Sequence, residues 1–244
     1  MRSLALDLAF APLLPWLIAQ GRRVRRDTPR LPPAAGSSTG AVDGSAPALR
    51  VLLIGESTVA GVGAATHVDG MAGHFARDLR ARCGRRVEWS VFGLSGATVR
   101  HAHTNLLPAI PSEPADLIVI AFGVNDVLAR TPPARYAMHL RELIAATRGK
   151  AGPAPVLLAA VPPMGRFPAL PQPLRAYVGA RARMLDRAMR RLRITGVVHV
   201  GSQVRIDAAM FARDRFHPSP AGYLAWARSL AETAIRLSIV REAT

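Results

Sequence analysis

Short apolar runs alternate with amphipathic stretches along most of the chain after residue 48. Five of these runs are continuous and rich in branched residues, as buried strands are, and they cover 49–54, 87–92, 116–122, 155–161 and 197–200. Between them apolar residues recur at helical spacing, which predicts helices over 71–83, 134–148, 175–193 and 219–237. This alternation indicates a parallel sheet covered on both faces, so we expect one open α/β domain over 49–244.

Two segments of different character precede this pattern. Residues 4–19 form an apolar run that one carboxylate and two prolines interrupt, and four arginines follow within 22–26. The run is short for a bilayer span, and its charge follows it, unlike that of a secretory signal peptide. Three alternatives remain for segment 1–27. It is a helix that packs on the domain or lies at a membrane surface, or it is a true membrane anchor, or it is an atypical export signal. Residues 28–48 are rich in Pro, Gly, Ser and Ala, which predicts a linker.

Composition and charge narrow the class of protein. The chain has 244 residues and a net charge of +16, from 32 basic and 16 acidic side chains. Such a charge favours anionic partners, but no aromatic, zinc-finger or basic-heptad pattern accompanies it, so we expect no nucleic-acid partner. The lone Cys83 excludes a disulfide framework and fits a reducing compartment. We expect a cytoplasmic protein, with residues 4–26 as its candidate contact with a membrane. The histidines show no metal-ligand spacing, so neither a metal nor another cofactor is expected.

Polar residues and a glycine follow three of the predicted strands, where ligands bind in open α/β sheets. Ser57 follows the first strand, Gly96 the second and Asn125 the third. Asp214 and His217 stand in a short turn just before the last helix. Each of them alone has a structural explanation as a helix cap, a turn glycine or an Asx turn. Their order and their common placement indicate a functional site.

The residue types at this site fit acyl transfer. A nucleophilic serine needs a base within hydrogen-bond reach and a third group that orients the base. His217 can take the proton of Ser57 while Asp214 holds the other ring nitrogen. The backbone N–H groups of Ser57 and Gly96, together with the side-chain amide of Asn125, can stabilise an oxyanion.

These blocks resemble those of the SGNH (GDSL-type) hydrolase family, which supply Ser, Gly, Asn and His. The resemblance runs from about Arg50 to the last helix and rests on the blocks GES, GLSG, GVND and DRFHPS. It implies a flavodoxin-like three-layer sandwich with a five-stranded parallel sheet. It also implies a serine esterase that works through an acyl-enzyme, with Ser57 as the nucleophile and Asp214 and His217 as its partners.

The chain departs from the family pattern at two positions. Glu56 stands where the family usually has Asp, from which we expect altered local hydrogen bonding without loss of activity. The second block opens with Phe92 and Gly93 instead of an asparagine, and of its glycines we choose Gly96 as the one nearest the oxyanion.

A proline-rich loop over 162–173 follows the fourth strand and is too long for a bare connection. We expect it to form a wall of the substrate pocket, with Met164, Phe167 and Leu170 as its apolar surface. The chain has no long hydrophobic lid, which favours small-molecule or lipid esters with short or medium acyl chains. The alternatives are a membrane-associated lysophospholipase or acyltransferase and, with less support, a catalytically inactive binding module.

Overall fold

One six-stranded sheet organises the part of the chain that the computed structural model describes, residues 2–201 and 206–236. Its strands are β1 (Thr39–Val42), β2 (Ser45–Gly55), β3 (Arg85–Gly93), β4 (Leu117–Ala121), β5 (Val156–Ala159) and β6 (Val197–Val200). They lie in the order β1-β3-β2-β4-β5-β6, and β2 to β6 are parallel. The predicted α/β fold with its five parallel strands is confirmed, and a sixth strand is added at one edge.

This edge strand, β1, corrects the prediction of a linker over 28–48. Thr39–Val42 pairs antiparallel with β3, and β2 already begins at Ser45. The strand is missed because it buries little apolar surface: its side chains are exposed or half-buried, and its residues are small. Its backbone hydrogen bonds to β3 do not depend on the hydrophobic pattern that reveals the central strands. Residues 39–48 therefore belong to the sheet.

Helices cover both faces of the sheet. They are α1 (Arg2–Ala9), α2 (Leu14–Asp27), α3 (Met71–Cys83), α4 (Val99–Asn105), α5 (Val124–Leu128), α6 (Pro133–Ala151), α7 (Leu174–Arg190) and α8 (Pro220–Arg236). α3 and α8 share a core with Leu53 of β2, whereas α4, α6 and α7 share the opposite core with its neighbour Ile54. Both residues are fully buried, since successive side chains of a strand point to opposite faces. Because both faces are buried, the sequences of the central strands are unbroken apolar runs.

The N-terminal helices pack against α7. The Asp7 carboxylate accepts hydrogen bonds from the Tyr177 hydroxyl at 2.8 Å and from the Arg181 guanidinium at 3.0 Å. Leu17 of α2 is buried in the core that α7 helps to form. The segment thus packs on the domain, and its contact with a membrane, as an anchor or at the surface, and its role as an export signal stay predictions. No helix in the described part of the chain is long and apolar enough to cross a membrane.

Candidate active site

Ser57 lies in the tight turn that follows β2, at the carboxyl edge of the sheet. The amides of Val59 and Ala60 both donate to the carbonyl oxygen of Glu56 at 3.0 Å, which closes the turn around the serine. The Ser57 residue is 9% exposed, so its hydroxyl stands at the bottom of a cleft rather than on an open surface. Within the described residues its backbone N–H donates to no other protein group.

A second loop brings a histidine and a carboxylate to this serine. The Nε2 atom of His217 lies 3.0 Å from Ser57 Oγ, and its Nδ1 atom lies 2.6 Å from Asp214 Oδ2. The other oxygen of Asp214 accepts the backbone N–H groups of Phe216 and His217, each at 3.0 Å. Arg215 between them adopts a left-handed conformation (φ 58°), which is uncommon for a residue with a side chain. The turn therefore holds both partners of the imidazole ring.

The surroundings of Asp214 keep it ionised. Its burial opposes the charged form, but the hydrogen bonds from His217 and from the two backbone amides outweigh this effect and lower its pKa. A carboxylate that accepts three hydrogen bonds binds its proton weakly. Asp214 is thus a fixed negative charge behind the imidazole ring.

The second block contributes two glycines with different roles. A Cβ atom on Gly93 would lie 2.2 Å from the backbone nitrogen of Ala60, so this glycine allows β3 to pack against the Ser57 turn. Gly96 has a left-handed conformation (φ 82°) with open space around it and lines the same groove as Ser57. Its N–H donates to no other group of the described chain. Gly96 therefore lines the groove together with Ser57, whereas Gly93 is required for packing.

Asn125 lies in the first turn of the short helix α5 and is held there by Glu56. The Glu56 carboxylate accepts the backbone N–H groups of Val124 and Asn125, each at 2.9 Å. It also accepts the side-chain amide of Asn125 at 2.6 Å, and the same nitrogen lies 3.2 Å from the carbonyl oxygen of Ala97. Asn125 lines the groove with Ser57 and Gly96, but its amide donates to protein acceptors rather than into open space. Sequence reasoning missed this direct role of Glu56.

Glu56 has an unusual ionisation for a carboxylic acid. Its side chain is buried, and the loss of solvation raises its pKa from 4.5 to about 7, although the hydrogen bonds from Asn125 and Val124 oppose the shift. The negative charge of the neighbouring Asp126 adds to the rise. The residue that positions Asn125 therefore titrates near neutral pH.

Two cavities meet at Ser57 and His217. The smaller has a volume of about 80 Å³ and lies among aromatic side chains, with Phe167, Phe216 and Trp226 in its wall. Phe167 packs edge-on against Phe216, with ring centroids 5.1 Å apart, and this contact stiffens the wall. The volume suffices for only a few non-hydrogen atoms, since a protein cavity of about 150 Å³ accommodates one benzene molecule.

The larger cavity is a groove of about 870 Å³ on the other side of Ser57. Gly96, Asn125 and Leu170 contribute to it from the domain. Its opposite wall is α2 with the residues that follow it, so the N-terminal segment is part of the candidate site. The helical spacing of Leu14, Leu17 and Ile18 before the arginines indicates an amphipathic helix. The local sequence does not indicate which part of the domain this helix packs against.

The proline-rich loop fits its predicted place only in part. Phe167 lines the small cavity and Leu170 lines the groove, and their contact with a substrate stays a prediction. Met164 lines neither cavity: it is fully buried in the hydrophobic core, where its side chain packs the loop onto the domain. The assignment of Met164 to the pocket wall is therefore wrong, because an apolar residue beside a site satisfies core packing equally well. Among the described residues, no group of three or more His, Cys, Asp or Glu is placed to hold a metal ion.

The chain belongs to the GDSL-like lipase/acylhydrolase family, whose sequence profile matches residues 53–225. A GDSL-like esterase of Mycobacterium tuberculosis is 29% identical over 189 residues, which cover 72% of this chain and 58% of that protein. The chain thus spans less than two thirds of the length of that curated relative.

Solved structures share the fold at lower identity. A lipase from a goat rumen metagenome superposes with a TM-score of 0.56 at 19% identity, over 75% of this chain and 96% of its own. The acetylxylan esterase Axe2 of Geobacillus stearothermophilus gives 0.53 at 21% identity, over 75% of this chain and 93% of its own. Both support the assignment of the fold.

Proposed function

We propose that the protein is a serine esterase that hydrolyses carboxylic esters through an acyl-enzyme intermediate. The observation that carries this proposal is the chain of hydrogen bonds from Ser57 Oγ through His217 to Asp214, at 3.0 and 2.6 Å. Serine is a weak nucleophile unless a neighbouring base takes its proton, and a base works best when a third group orients it. Membership of an acylhydrolase family and the esterase activity named for the relative support the same reaction.

In this mechanism His217 accepts one proton and then donates it, once during acylation of Ser57 and once during deacylation. It takes the Ser57 proton as the hydroxyl attacks the ester carbonyl, and it then gives this proton to the leaving alcohol. Water enters, His217 takes one of its protons, and the acyl group leaves as a carboxylic acid while Ser57 recovers its hydrogen. Asp214 stays ionised throughout and stabilises the imidazolium that forms at each step.

Three donors would stabilise the oxyanion of each tetrahedral intermediate. The backbone N–H groups of Ser57 and Gly96 have no other protein acceptor in the described chain, which leaves them available. The amide of Asn125 has two hydrogens: one is held strongly by Glu56 at 2.6 Å and the other weakly by Ala97 O at 3.2 Å. We assign the second hydrogen to the oxyanion, because the longer bond is the easier one to exchange.

The small aromatic cavity would take the acyl group, and the groove the alcohol. A volume of about 80 Å³ limits the acyl group to a short chain. The acetyl substrate in the name of one structural neighbour fits a cavity of this size. The alcohol has much more room, since the groove measures about 870 Å³.

Hydrolysis of p-nitrophenyl esters of increasing acyl length tests this function. We expect the highest kcat/KM for short chains and loss of turnover in Ser57→Ala and in His217→Ala, with the fold retained by circular dichroism. Ser95→Ala is the matched control, because Ser95 lines the same groove but makes no hydrogen bond with His217. Activity that survives in Ser57→Ala, or that falls equally in Ser95→Ala, would contradict the proposed nucleophile.

We also propose that the N-terminal helices contact an anionic membrane surface. Four large apolar side chains of this segment are exposed and lie outside the groove, namely Leu4, Leu8, Leu13 and Trp16. Arginines follow them on the same segment, which suits a surface with an apolar interior and negative headgroups. We expect co-sedimentation with vesicles of phosphatidylcholine and phosphatidylglycerol, and loss of it in a Leu8→Ser, Trp16→Ser double variant. Equal sedimentation of wild type and variant would reject this contact.

A further inference from the structure

The large groove contains a positive charge that the proposed mechanism does not use. Besides the residues around Ser57, four arginines line it: Arg22, Arg25, Arg30 and Arg130. The acidic residue in its wall is Asp214, and this carboxylate already accepts hydrogen bonds from His217 and from backbone amides. The groove is thus basic along the part of its lining that these arginines form. The proposed reaction at Ser57 does not require a positive charge there.

One face of α2 supplies most of this lining. Leu14, Ile18, Arg22 and Arg25 recur at spacings of three and four residues, which places them on the same side of the helix. The first two present apolar surface to the groove, and the last two present guanidinium groups further along it. Arg130 follows α5, the short helix that carries Asn125, and contributes its charge from the domain side.

These arginines differ from their neighbours on the same helix. Arg23 and Arg26 form ion pairs with Asp27 at 3.3 and 2.8 Å and do not line the groove. In the described chain neither Arg22 nor Arg25 has a carboxylate within ion-pair distance, and the same holds for Arg130. The helix therefore neutralises part of its outward charge and leaves the charge of its groove face available to a ligand.

We propose that the groove binds esters whose leaving alcohol carries an anionic group, a carboxylate or a phosphate, and that Arg22, Arg25 and Arg130 bind this group. The proposal rests on the proposed function, since it assigns a substrate class to the same site. It places the anion on the alcohol because the aromatic cavity has room only for a short acyl group, so the rest of the ester lies in the groove. Guanidinium groups suit both anions, which they bind through paired N–H donors.

A matched pair of substrates isolates the charge of the alcohol. The acetyl ester of 4-hydroxybenzoate carries a carboxylate, and the acetyl ester of 4-hydroxybenzamide has nearly the same shape without the charge. Each rate is divided by that of hydroxide-catalysed hydrolysis, which removes the difference in intrinsic reactivity. We expect kcat/KM to favour the carboxylate by about tenfold at low salt, the sum of two or three exposed ion pairs. The preference should decline as salt screens the charges.

A matched pair of variants separates the groove from the overall charge of +16. Arg22→Gln with Arg25→Gln removes two charges from the groove face of α2, whereas Arg23→Gln with Arg26→Gln removes two from its outer face. Glutamine has a helix propensity close to that of arginine, so both variants retain the helix. We expect the first variant to lose the preference for the carboxylate and the second to keep it. Arg130→Gln should weaken the preference from the other wall.

The outcomes distinguish this proposal from the proposed function. Equal hydrolysis of both esters, or equal losses in the two double variants, would overturn the anion site while the Ser57-dependent esterase stands. If neither ester is hydrolysed in a Ser57-dependent way, the function fails. Binding to Ser57→Ala, measured by calorimetry, then decides the anion site alone: tighter binding of the carboxylate supports it, and equal binding overturns it.

The same anionic chemistry occurs on small alcohols and on lipid headgroups. The acetyl and palmitoyl esters of glycerol 3-phosphate distinguish these sources, because they share the phosphate and differ in the acyl chain. Hydrolysis of the acetyl ester that requires Arg22 and Arg25 identifies a small phosphorylated alcohol, as the size of the acyl cavity leads us to expect. The same dependence with the palmitoyl ester alone would identify a lipid headgroup as the anion and would overturn the short acyl chain.

Discussion

The Glu56 side chain connects two blocks that are far apart in the sequence. Its carboxylate accepts three hydrogen bonds, two from backbone amides at the start of α5 and one from the side chain of Asn125. A glutamate in place of the aspartate usual in the family thus reaches Asn125 directly. The carboxylate is a positioning group in the proposed mechanism, since it acts through Asn125 and does not line either cavity.

Substituting Glu56 tests this positioning role. In Glu56→Gln the side-chain oxygen can still accept a backbone N–H group, but the new NH₂ group faces the side-chain NH₂ group of Asn125. Two donors cannot pair, so the Asn125 side chain must rotate. We expect kcat to fall about tenfold to a hundredfold with little change in KM, less than the loss of about a hundredfold to a thousandfold on removal of an oxyanion donor, because Asn125 itself is retained. Glu56→Asp keeps the charge and should retain most of the activity. A similar KM increase in both variants would indicate a structural role instead.

Helix α1 is attached to the domain through one charged contact. Arg181 is nearly buried, with its side chain 3% exposed, and Asp7 is the carboxylate that pairs with it. Tyr177 donates to the same carboxylate. The N-terminal segment is thus tied to α7, next to the point where α2 forms the wall of the groove.

We expect Asp7→Asn to weaken this attachment because it leaves the Arg181 charge buried without a counter-charge. The destabilisation should be about 1 to 2 kcal/mol, less than for a fully buried pair, since the Asp7 side chain is 39% exposed. Chemical denaturation measures it, and limited proteolysis within 28–38 reports the release of the helix. Asp27→Asn, which affects only exposed ion pairs on α2, serves as the control and should change stability very little. Equal effects of the two variants would contradict the structural importance of Asp7.

For the molecule as a whole, stability depends on pH through groups whose pKa changes on folding. The pKa of Glu56 rises to about 7 on burial, so the folded state holds this proton more tightly than the unfolded chain does. The stabilisation is complete below pH 4.5 and is lost as the pH rises through 7. Asp214 has a lowered pKa, so its contribution to stability is lost as the pH falls. This loss is confined to the acid range below its usual pKa of 3.8.

We therefore expect Glu56→Gln to flatten the pH dependence of the free energy of unfolding. Between pH 4.5 and 7.5 the wild type should lose about 3 kcal/mol more than the variant, since each pKa unit corresponds to about 1.4 kcal/mol. Urea denaturation at a series of pH values measures both proteins, and their difference removes the contribution of the histidines. Parallel curves for the two proteins would show that Glu56 has the same pKa in both states.

The hydrophobic pattern alone was sufficient for the central elements. β4 and α3 match the predicted ranges to within one residue at each end, and α6 extends the predicted 134–148 by one residue at its start and three at its end. These elements are buried on one or both faces, so their periodicity is strong. The edge strand β1 and the packing of Met164 depend on contacts with distant residues, and the local pattern contains no record of those contacts.

The sequence by itself determined the α/β architecture and the five residues of the candidate site, because buried strands and the blocks around Ser57, Gly96, Asn125, Asp214 and His217 are local features of the chain. Only the tertiary structure decided what surrounds them. Folding brought α2 across the groove, directed Glu56 onto Asn125 and divided the arginines of α2 between a side that lines the groove and a side that pairs with Asp27. These outcomes follow from contacts between segments up to about 170 residues apart, such as that of Asp7 with Tyr177. Such contacts leave no periodic signal in the chain.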